Sequence, residues 1–435
     1  MNSNIINIAI TVLCLLFISC KTKEKEATFL VSAGSDVFDE CYGLVVDSEN
    51  NYIISGVFSK EITFKGDTFL TQLSSNGNLD FFVAKYSAAG KFIWAKQFGG
   101  KEDDEVANLC IDEQNNLYLT GYCNYSPNLF IKEKFINKKS FLLKLNASGE
   151  AVWAKKTDGQ GSSEGTSIYI KNKSVFWLST FSDSISDSVK SVGLTDIVCT
   201  KLDYNGTVLK QNYFGDKGND NSRDIVVSDN NAVFITCSFS NKINYGISSA
   251  SMLELDSNLT QQSFTYLYSD TVSEALSIIL DKNNNKYISG SITGNNNQDA
   301  FVCKLSDSNK RVWTNIYSSS KNEWAKGLAF DTEGNIISTV VLNENAKVST
   351  LNNPINGLGN YDIFINKLDA GGKVGQYKSF GNSGEEGVNK IIVDKDKLVF
   401  CGWFYKTLDI NNKKVSSKGD GDIFLCKEKL NSIFK

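Results

Sequence analysis

The sequence predicts an all-β protein, a seven-bladed β-propeller built from four-stranded antiparallel blades. Three observations carry this prediction. A β-rich segment recurs seven times in the 435 residues, signals for three further strands follow it, and the strand missing from the last unit precedes the first. The recurring segments end at Asp47, Asp112, Lys171, Ser228, Asp281, Asp331 and Asp394. A unit therefore has about 58 residues, enough for four strands and their turns.

The first unit shows how each strand is predicted. An acidic residue opens the first strand, Glu40–Asp47, and the polar residues 47–51 follow it. Asx side chains bond to the backbone of tight turns, so this stretch predicts a hairpin. The second strand is Tyr52–Gly56, the third Asp80–Tyr86 and the fourth Phe92–Phe98. Seven such sheets bury their apolar faces against one another only when packed around an axis.

The two ends of the chain predict how the ring closes. The seventh unit ends with its third strand, Asp422–Lys427, and lacks a fourth. Thr28–Ala33 precedes the first unit and aligns with Trp94–Phe98, with Phe29 at the place of Trp94. We expect this N-terminal strand to complete the last blade and remove its exposed edge. The alternative, an open solenoid, would need end caps. One propeller domain, residues 28–435, is predicted.

The repeat is similar to a known bacterial family. The acidic-to-Asp first strand, the Tyr-Ile-Ser-Gly second strand, the Asp-x-Phe-x-x-Lys-Leu third strand and the Trp-Ala-Lys-Gln-Phe-Gly-Gly end resemble the SBBP repeat of exported bacterial propellers. The resemblance covers about residues 28–428. It implies the fold and supplies no catalytic motif.

The N-terminus predicts export. Residues 1–20 carry no charged side chain, and the apolar run 5–18 is too short to span a bilayer. Its end, Leu16–Cys20, resembles a bacterial lipoprotein signal, which implies lipidation of Cys20. Residues 21–27 would then form a charged tether, and the protein would be anchored to the outer membrane by lipid alone, facing the periplasm or the cell surface. An ordinary cleaved signal peptide is the alternative.

Composition excludes several chemistries. The chain has no histidine, which removes His-assisted nucleophiles, histidine general bases and imidazole zinc sites. Lys+Arg 45 against Asp+Glu 49 gives a net charge of −4, so no nucleic-acid partner is expected. We expect a monomer with no catalytic residues, no metal site and no cofactor, Ca²⁺ at an acidic ring excepted.

That acidic ring is the main candidate site. Glutamates stand where the innermost strands begin: Glu40, Glu105, Glu164, Glu274, Glu323 and Glu386. The last two, in units six and seven, are offset by one residue. The fold's symmetry would place them around the mouth of the axial channel. They could bind Ca²⁺ or a cationic ligand, or brace neighbouring blades through backbone N–H groups, and the brace is favoured.

Two further features bear on function. The long loops 58–79, 124–138, 181–195 and 342–361 are expected to lie on one face of the ring. Variable loops on a scaffold are where binding usually occurs, so this loop face is the preferred ligand surface. Eight cysteines lie beyond Cys20, mostly within predicted strands, which is typical of small buried side chains. Should an oxidising envelope join a pair, Cys401 and Cys426 are the best candidates.

Three functions remain open, in order of preference. The first is a non-enzymatic binding or scaffold lipoprotein that presents its loop face to a protein or a glycan. The second is a hydrolase or lyase acting on a glycan through a carboxylate pair. The third is a spacer that holds another module. The sequence leaves open whether the protein is an enzyme and favours a protein without enzymatic activity.

Overall fold

A computed structural model of the chain describes residues 27–124, 137–240, 248–294, 297–343 and 345–434. Within these ranges the chain forms a seven-bladed β-propeller of four-stranded antiparallel sheets, as the repeats predict. The predicted signal peptide, Cys20 and nearly all of the tether lie outside the described residues. No helix of the described part is long and apolar enough to cross a bilayer.

The strands are numbered in chain order, and each blade is given from its innermost strand outwards. Blade 1 is β2 (Glu40–Val46), β3 (Tyr52–Lys65), β4 (Leu70–Tyr86) and β5 (Phe92–Phe98). Blade 2 is β6 (Asp104–Ile111), β7 (Leu117–Cys123), β8 (Lys139–Leu145) and β9 (Ala151–Lys156). Blade 3 is β10 (Ser163–Lys171), β11 (Ser174–Phe181), β14 (Asp196–Asp203) and β15 (Val208–Phe214). Blade 4 is β16 (Asn221–Val227), β17 (Val233–Ser240), β18 (Ser248–Leu255) and β19 (Gln261–Tyr266).

The remaining blades follow the same order. Blade 5 is β20 (Ser273–Leu280), β21 (Lys286–Thr293), β22 (Gln298–Leu305) and β23 (Arg311–Ser318). Blade 6 is β24 (Trp324–Phe330), β25 (Ile336–Leu342), β27 (Asp362–Leu368) and β28 (Val374–Phe380). Blade 7 is β29 (Glu386–Asp394), β30 (Lys397–Phe404), β33 (Asp422–Lys429) and β1 (Phe29–Ala33). Five short strands and one helix complete the set: β12 (Ser184–Ser186), β13 (Val189–Lys190), β26 (Lys347–Val348), β31 (Thr407–Ile410), β32 (Lys413–Ser416) and α1 (Leu430–Ile433).

The ring is closed by its N-terminal strand. β1 pairs antiparallel with β33 along its whole length, from Phe29 opposite Lys427 to Ala33 opposite Ile423. Lys85 of blade 1 is equivalent to Lys427 and stands opposite Trp94. Phe29 therefore occupies the tryptophan position. The predicted strand exchange is confirmed in both partner and register.

An aromatic residue on each of four outermost strands packs against the next blade. A side chain added at Gly149 would have its first carbon 2.8 Å from the Trp94 ring, and one added at Gly90 would lie 2.4 Å from Phe29. Both glycines have φ near +80°, at +77° and +81°, a conformation that other residues adopt at a cost. The turn between the third and fourth strands therefore requires glycine on both counts.

The first hairpin turn shows why its polar residues are there. The Asp47 carboxylate accepts the backbone N–H groups of Glu49 and Asn51 at 2.9 and 2.8 Å, and Asn50 takes a positive φ of 62°. Lys85 lies 2.7 Å from the same carboxylate. Burial alone would raise the pKa of Asp47, but the hydrogen bonds from Lys85 and Asn51 outweigh it and lower the pKa.

The long connections on the predicted loop face are more regular than loops. Residues 58–79 largely continue β3 and β4 as one long hairpin, and residues 181–195 contain the β12–β13 hairpin. Residues 342–361 contribute β26, which pairs with the outermost strand of blade 5. Most of 124–138 lies outside the described residues. This face thus carries hairpins and an added strand, which the sequence did not predict.

The cysteines are buried, but the suggested disulfide is wrong. The eight cysteines of the described ranges are free thiols, with Cys110 half-buried and the others buried. Cys401 stands opposite Leu425, and Cys426 opposite Phe400. Successive residues of a strand point to opposite faces, so these two thiols enter different interblade cores.

Candidate functional site

The propeller axis is an open cavity. It has a volume of about 1050 Å³ and is lined by residues from the innermost strands of all seven blades. The bulge in each innermost strand separates two levels. Above it, near the loop face, the cavity wall is charged and aromatic. Below it, the wall is largely apolar, with Val226 and Ile279 among its residues. We call the upper level the mouth.

Four of the six predicted glutamates lie at the mouth. The same register position holds a glutamate in blades 1, 2, 3 and 5: Glu40, Glu105, Glu164 and Glu274. One further cross-strand pair separates each glutamate from the bulged residue. The same position is Asn221 in blade 4, Trp324 in blade 6 and Gly387 in blade 7.

Glu323 and Glu386 do not belong to this ring. Glu386 pairs with Phe404, one step before the mouth position of blade 7, in register with Asp104 of blade 2. Glu323 likewise precedes Trp324, and both side chains are fully buried. The one-residue offset in the sequence is therefore real and places these two side chains between blades.

A lysine missed by the sequence analysis anchors one side of the mouth. Lys326 donates to the Asn389 side chain at 2.8 Å, and Asn389 donates to Glu40 at 2.8 Å. Tyr42 donates its hydroxyl to the other Glu40 oxygen at 2.9 Å. Burial lowers the pKa of Lys326, an effect that the nearby Glu40 opposes. Lys326 and Asn389 hold the same strand position as Tyr42, a position at which the repeats share no residue type.

The other three glutamates also have donors. Glu274 lies 2.8 Å from Arg223, and Glu164 lies 3.1 Å from Lys138. Burial raises the pKa of Glu105, although a hydrogen bond from Tyr122 opposes the rise. The mouth is thus a rim of hydrogen-bonded carboxylates, two of which, Glu164 and Glu274, are paired with cations. No group of three or more metal-ligating side chains is found in the described part of the chain, and Ca²⁺ binding stays a prediction.

Below the rim, one aspartate joins three blades. Asp224 of blade 4 accepts hydrogen bonds from Ser167 of blade 3 at 2.8 Å and from Ser277 of blade 5 at 3.1 Å. The backbone N–H of Ile278 donates to it at 3.1 Å. With so many donors this carboxylate serves as a structural brace. It stands where blades 1 and 6 have glycine, a departure that could have marked it in the sequence.

Two indoles fill the mouth positions that lack a polar side chain. Trp324 is itself at the mouth position of blade 6. In blade 7 a side-chain carbon added at Gly387 would lie 2.7 Å from the Trp403 indole, so that indole takes the place. Both rings are half-buried.

Three more aromatic side chains extend these indoles across the loop face. The Trp324 ring lies 5.3 Å from Tyr361, and the Trp403 ring lies 5.6 Å from Tyr405. Phe38 stacks on Tyr405 at 6.2 Å. We call these five residues the aromatic arc. The aromatic arc of blades 6, 7 and 1 thus lies on the same face as the mouth glutamates of blades 1, 2, 3 and 5.

Comparisons with known proteins agree with the repeat assignment. Residues 93–124 match the family model of the SBBP β-propeller repeat. The match runs from the outermost strand of blade 1 to the second strand of blade 2, so it spans the junction between two blades. An SBBP repeat is therefore present in the chain, as the resemblance implied.

Relatives beyond the repeat are distant. An uncharacterised WD repeat-containing protein of Acanthamoeba polyphaga mimivirus is 22% identical over 157 residues, which are 32% of this chain and 11% of that protein. The chain therefore spans about a tenth of the length of this curated relative.

Several solved structures are similar to this chain at low identity. An inactive virginiamycin B lyase from Staphylococcus aureus is 10% identical, with TM-score 0.46 over 92% of this chain and 99% of that chain. The polysaccharide lyase Uly1 is 9% identical, with TM-score 0.48 over 89% of both chains. The β-propeller domain of the trilobed protease from Pyrococcus furiosus is 9% identical, with TM-score 0.46 over 91% and 96%. These values carry no inference about activity.

Proposed function

We propose that this protein is a non-enzymatic binding module that recognises a glycan at the mouth of its axial cavity. The single observation that carries the proposal is the aromatic arc, which lies on the loop face beside the rim glutamates. Saccharide rings present a flat face of C–H groups, which packs on an indole, and an edge of hydroxyl groups, which needs acceptors. The mouth and the aromatic arc beside it offer both chemistries on one face of the ring.

The rim glutamates fit hydroxyl recognition. Glu40, Glu164 and Glu274 are held by the side chains of Asn389, Lys138 and Arg223. A carboxylate fixed in this way keeps acceptor lone pairs for a ligand. The cations Lys138 and Arg223 also compensate the charges of Glu164 and Glu274, which disfavours these two as the uncompensated base or nucleophile that a glycosidase needs.

The binding proposal is tested with soluble polysaccharides. Affinity electrophoresis of the protein in gels containing mannan, xylan, dextran or hyaluronan is expected to show retardation by at least one of them. The variant W324A/W403A should then bind that polysaccharide at least about tenfold more weakly, because buried aromatic contacts dominate such interfaces. Reducing-sugar release, measured in parallel, would reveal the hydrolase that the sequence left open.

The control is an aromatic residue away from the mouth. Tyr377 on β28 is 47% exposed, so Y377A should bind like the parent protein. Melting curves of all variants exclude unfolding as the cause. Binding to none of the polysaccharides, or equal binding by W324A/W403A and Y377A, would contradict the proposal and favour a protein partner at this face.

We further propose that the module works in the cell envelope, anchored through lipid on Cys20. The apolar run before Cys20 and the charged residues 21–26 after it support this placement. In a Gram-negative host, C20S is expected to move the protein from the membrane fraction to the soluble periplasmic fraction, since this cysteine is the acceptor of the acyl chains. Retention of C20S in the membrane fraction would contradict lipid anchoring.

A further inference from the structure

A second set of acids lies between the blades, below the rim. One register position of the third strand lies two residues before the residue opposite the second-strand glycine position, and five blades have an aspartate there: Asp80, Asp196, Asp299, Asp362 and Asp422. The residue just before the mouth position of the following blade is also acidic in each case: Asp104, Asp220, Glu323, Glu386 and Asp39. We call these five combinations the interblade carboxyl pairs.

The connection between blades lies against both carboxyl groups of a pair. Gly99 lies against one of them, since a side-chain carbon added there would be 2.3 Å from the Asp80 carboxyl carbon. The next residue, Gly100, donates its N–H to Asp104 at 2.6 Å. At the junction of blades 6 and 7, a single added carbon at Gly381 would lie 2.9 Å from the Asp362 carboxyl carbon and 3.1 Å from Glu386 Oε2.

Each group of the first pair keeps one oxygen without a bond. Asp80 accepts the Asn76 N–H at 3.0 Å and the Gln97 side chain at 2.7 Å, both on Oδ2. Asp104 accepts Gly100 on Oδ2 as well. The two Oδ1 atoms are buried and have no hydrogen-bond partner within the described residues. Orphaned buried oxygens are costly, and one proton between two of them would satisfy both.

The repeats keep both acids or neither. At the junction of blades 2 and 3 the two positions are Lys139 and Ser163, and at that of blades 4 and 5 they are Ser249 and Ser273. In these junctions the serines Ser163 and Ser273 accept backbone N–H groups at 3.0 and 2.9 Å. If the carboxyl groups only repelled each other, losing one would be an improvement. Their joint presence indicates an attractive interaction.

We propose that each interblade carboxyl pair holds one proton, shared as an O–H···O hydrogen bond between a carboxyl group and a carboxylate. Raising the pH therefore removes these protons and weakens the contacts between blades. The proton is taken up from water when the blades close. It is released when they separate, so no other reactant is needed. Two acids in contact and out of water cannot both ionise cheaply.

Burial supports this protonation state at neutral pH. It raises the pKa of Asp104 to about 7 and of Asp39 to about 8, with the Asp80 and Asp422 charges adding to the rise. Burial likewise raises the pKa of Glu323 to about 7, of Glu386 to about 8 and of Asp220 to about 6, and a paired carboxylate adds to each rise.

The surroundings of the pairs offer little compensating charge. Asp422 has one cation beside it, Lys418, which lowers its pKa against the effect of burial. The other titratable neighbours are acids, thiols or phenols. They are Asp103 and Cys123 at Asp104, Asp216 at Asp196 and Asp220, Cys237 and Tyr266 at Asp220, Tyr361 at Glu323, and Glu385 at Glu386.

The sign of the pH dependence follows from these raised values. In the unfolded chain these acids ionise near pH 4, whereas the folded protein keeps the shared protons until about pH 6–8. Their stabilisation is complete below about pH 4 and is lost as the pH rises through the folded values. For each retained proton, the ratio of folded to unfolded protein falls by up to about tenfold for every unit by which the pH rises in that window.

Urea unfolding between pH 5 and pH 9 tests the proposal. The parent protein should lose stability steadily from pH 5 to pH 8. D104N replaces one acid with a permanently neutral donor, so its slope should be shallower by one proton, and it should be more stable than the parent at pH 9. The infrared carbonyl band of protonated carboxyl groups should be present in the parent at neutral pH and weaker in D104N.

The matched control is an aspartate with the opposite shift. D47N removes a carboxylate whose pKa is lowered, so its cost should be full at neutral and alkaline pH and vanish only in acid. Stability that rises from pH 5 to pH 8, or a D104N slope equal to that of the parent, would overturn the proposal. So would stabilisation of the parent by Ca²⁺ at pH 8 that D104N loses, because the pairs would then bind a cation.

Discussion

Deleting residues 27–33 is expected to leave the protein largely unfolded at 37 °C. The deletion removes the fourth strand of blade 7 and uncovers the edge of β33 along five residue pairs. It also removes Phe29, whose ring lies 6.0 Å from Tyr52 and packs on Gly90 of blade 1. Losing one such buried phenylalanine side chain costs about 3–5 kcal/mol, a large share of the stability of an ordinary domain. Circular dichroism melting curves measure the effect.

Two milder changes provide the controls. Removing residues 21–26, upstream of β1, should leave the melting temperature unchanged. S32A keeps the strand and alters only a half-buried polar side chain opposite Phe424, so its effect should be small. A deletion of 27–33 that melts at the parent temperature would contradict the shared blade.

Replacing the second-strand glycine of blade 2 by valine should be the most damaging single substitution of those considered. The first side-chain carbon at Gly121 would lie 1.8 Å from the Glu105 carbonyl oxygen. The same contact recurs at Gly56, Gly290 and Gly402, at 2.1, 1.9 and 1.9 Å. Because backbone rather than a flexible side chain must move, we expect G121V to lose about 3 kcal/mol, the upper part of the usual range for overpacking. Urea unfolding measures the loss.

A glycine in open surroundings is the matched control. Gly375 lies within β28, and the nearest atom to an added carbon there is 4.0 Å away. G375V should therefore change the free energy of unfolding by only a few tenths of a kcal/mol. If G121V and G375V cost the same, the close approach at the bulge would not explain the glycine of the repeat.

The fold could be predicted because its information is local and repeated. The acidic start of the first strand, the turn residues and the second-strand glycine each recur in several units. The closing strand could be found because Phe29 keeps the tryptophan position relative to Glu40. The SBBP match of residues 93–124 independently supports the repeat at the junction of blades 1 and 2.

The candidate site was predicted only in part, and for a physical reason. The mouth glutamates repeat and are visible in one sequence. The features that give the mouth its character do not repeat: Lys326, Asn389 and the two indoles each occur in one blade. Trp403 reaches the mouth from a second strand by lying over Gly387, a relation between strands that no spacing along the chain contains.

The interblade carboxyl pairs were missed for a related reason. Their two members, such as Asp80 and Asp104, belong to different repeats and meet only through the packing of adjacent blades. Taken as a single repeat, Asp80 is a polar strand start. The offset of Glu323 and Glu386 from the ring was a visible sign of a second acidic position, as were the acids directly before Glu40 and Glu105.

Closure of the ring by a strand shared between the two ends of the chain is the central claim, and amide hydrogen exchange tests it most directly. Peptides covering residues 28–34 should exchange as slowly as those covering 92–98, the outermost strand of blade 1. Exchange of 28–34 at the rate of an unstructured peptide, with 92–98 protected, would contradict the account.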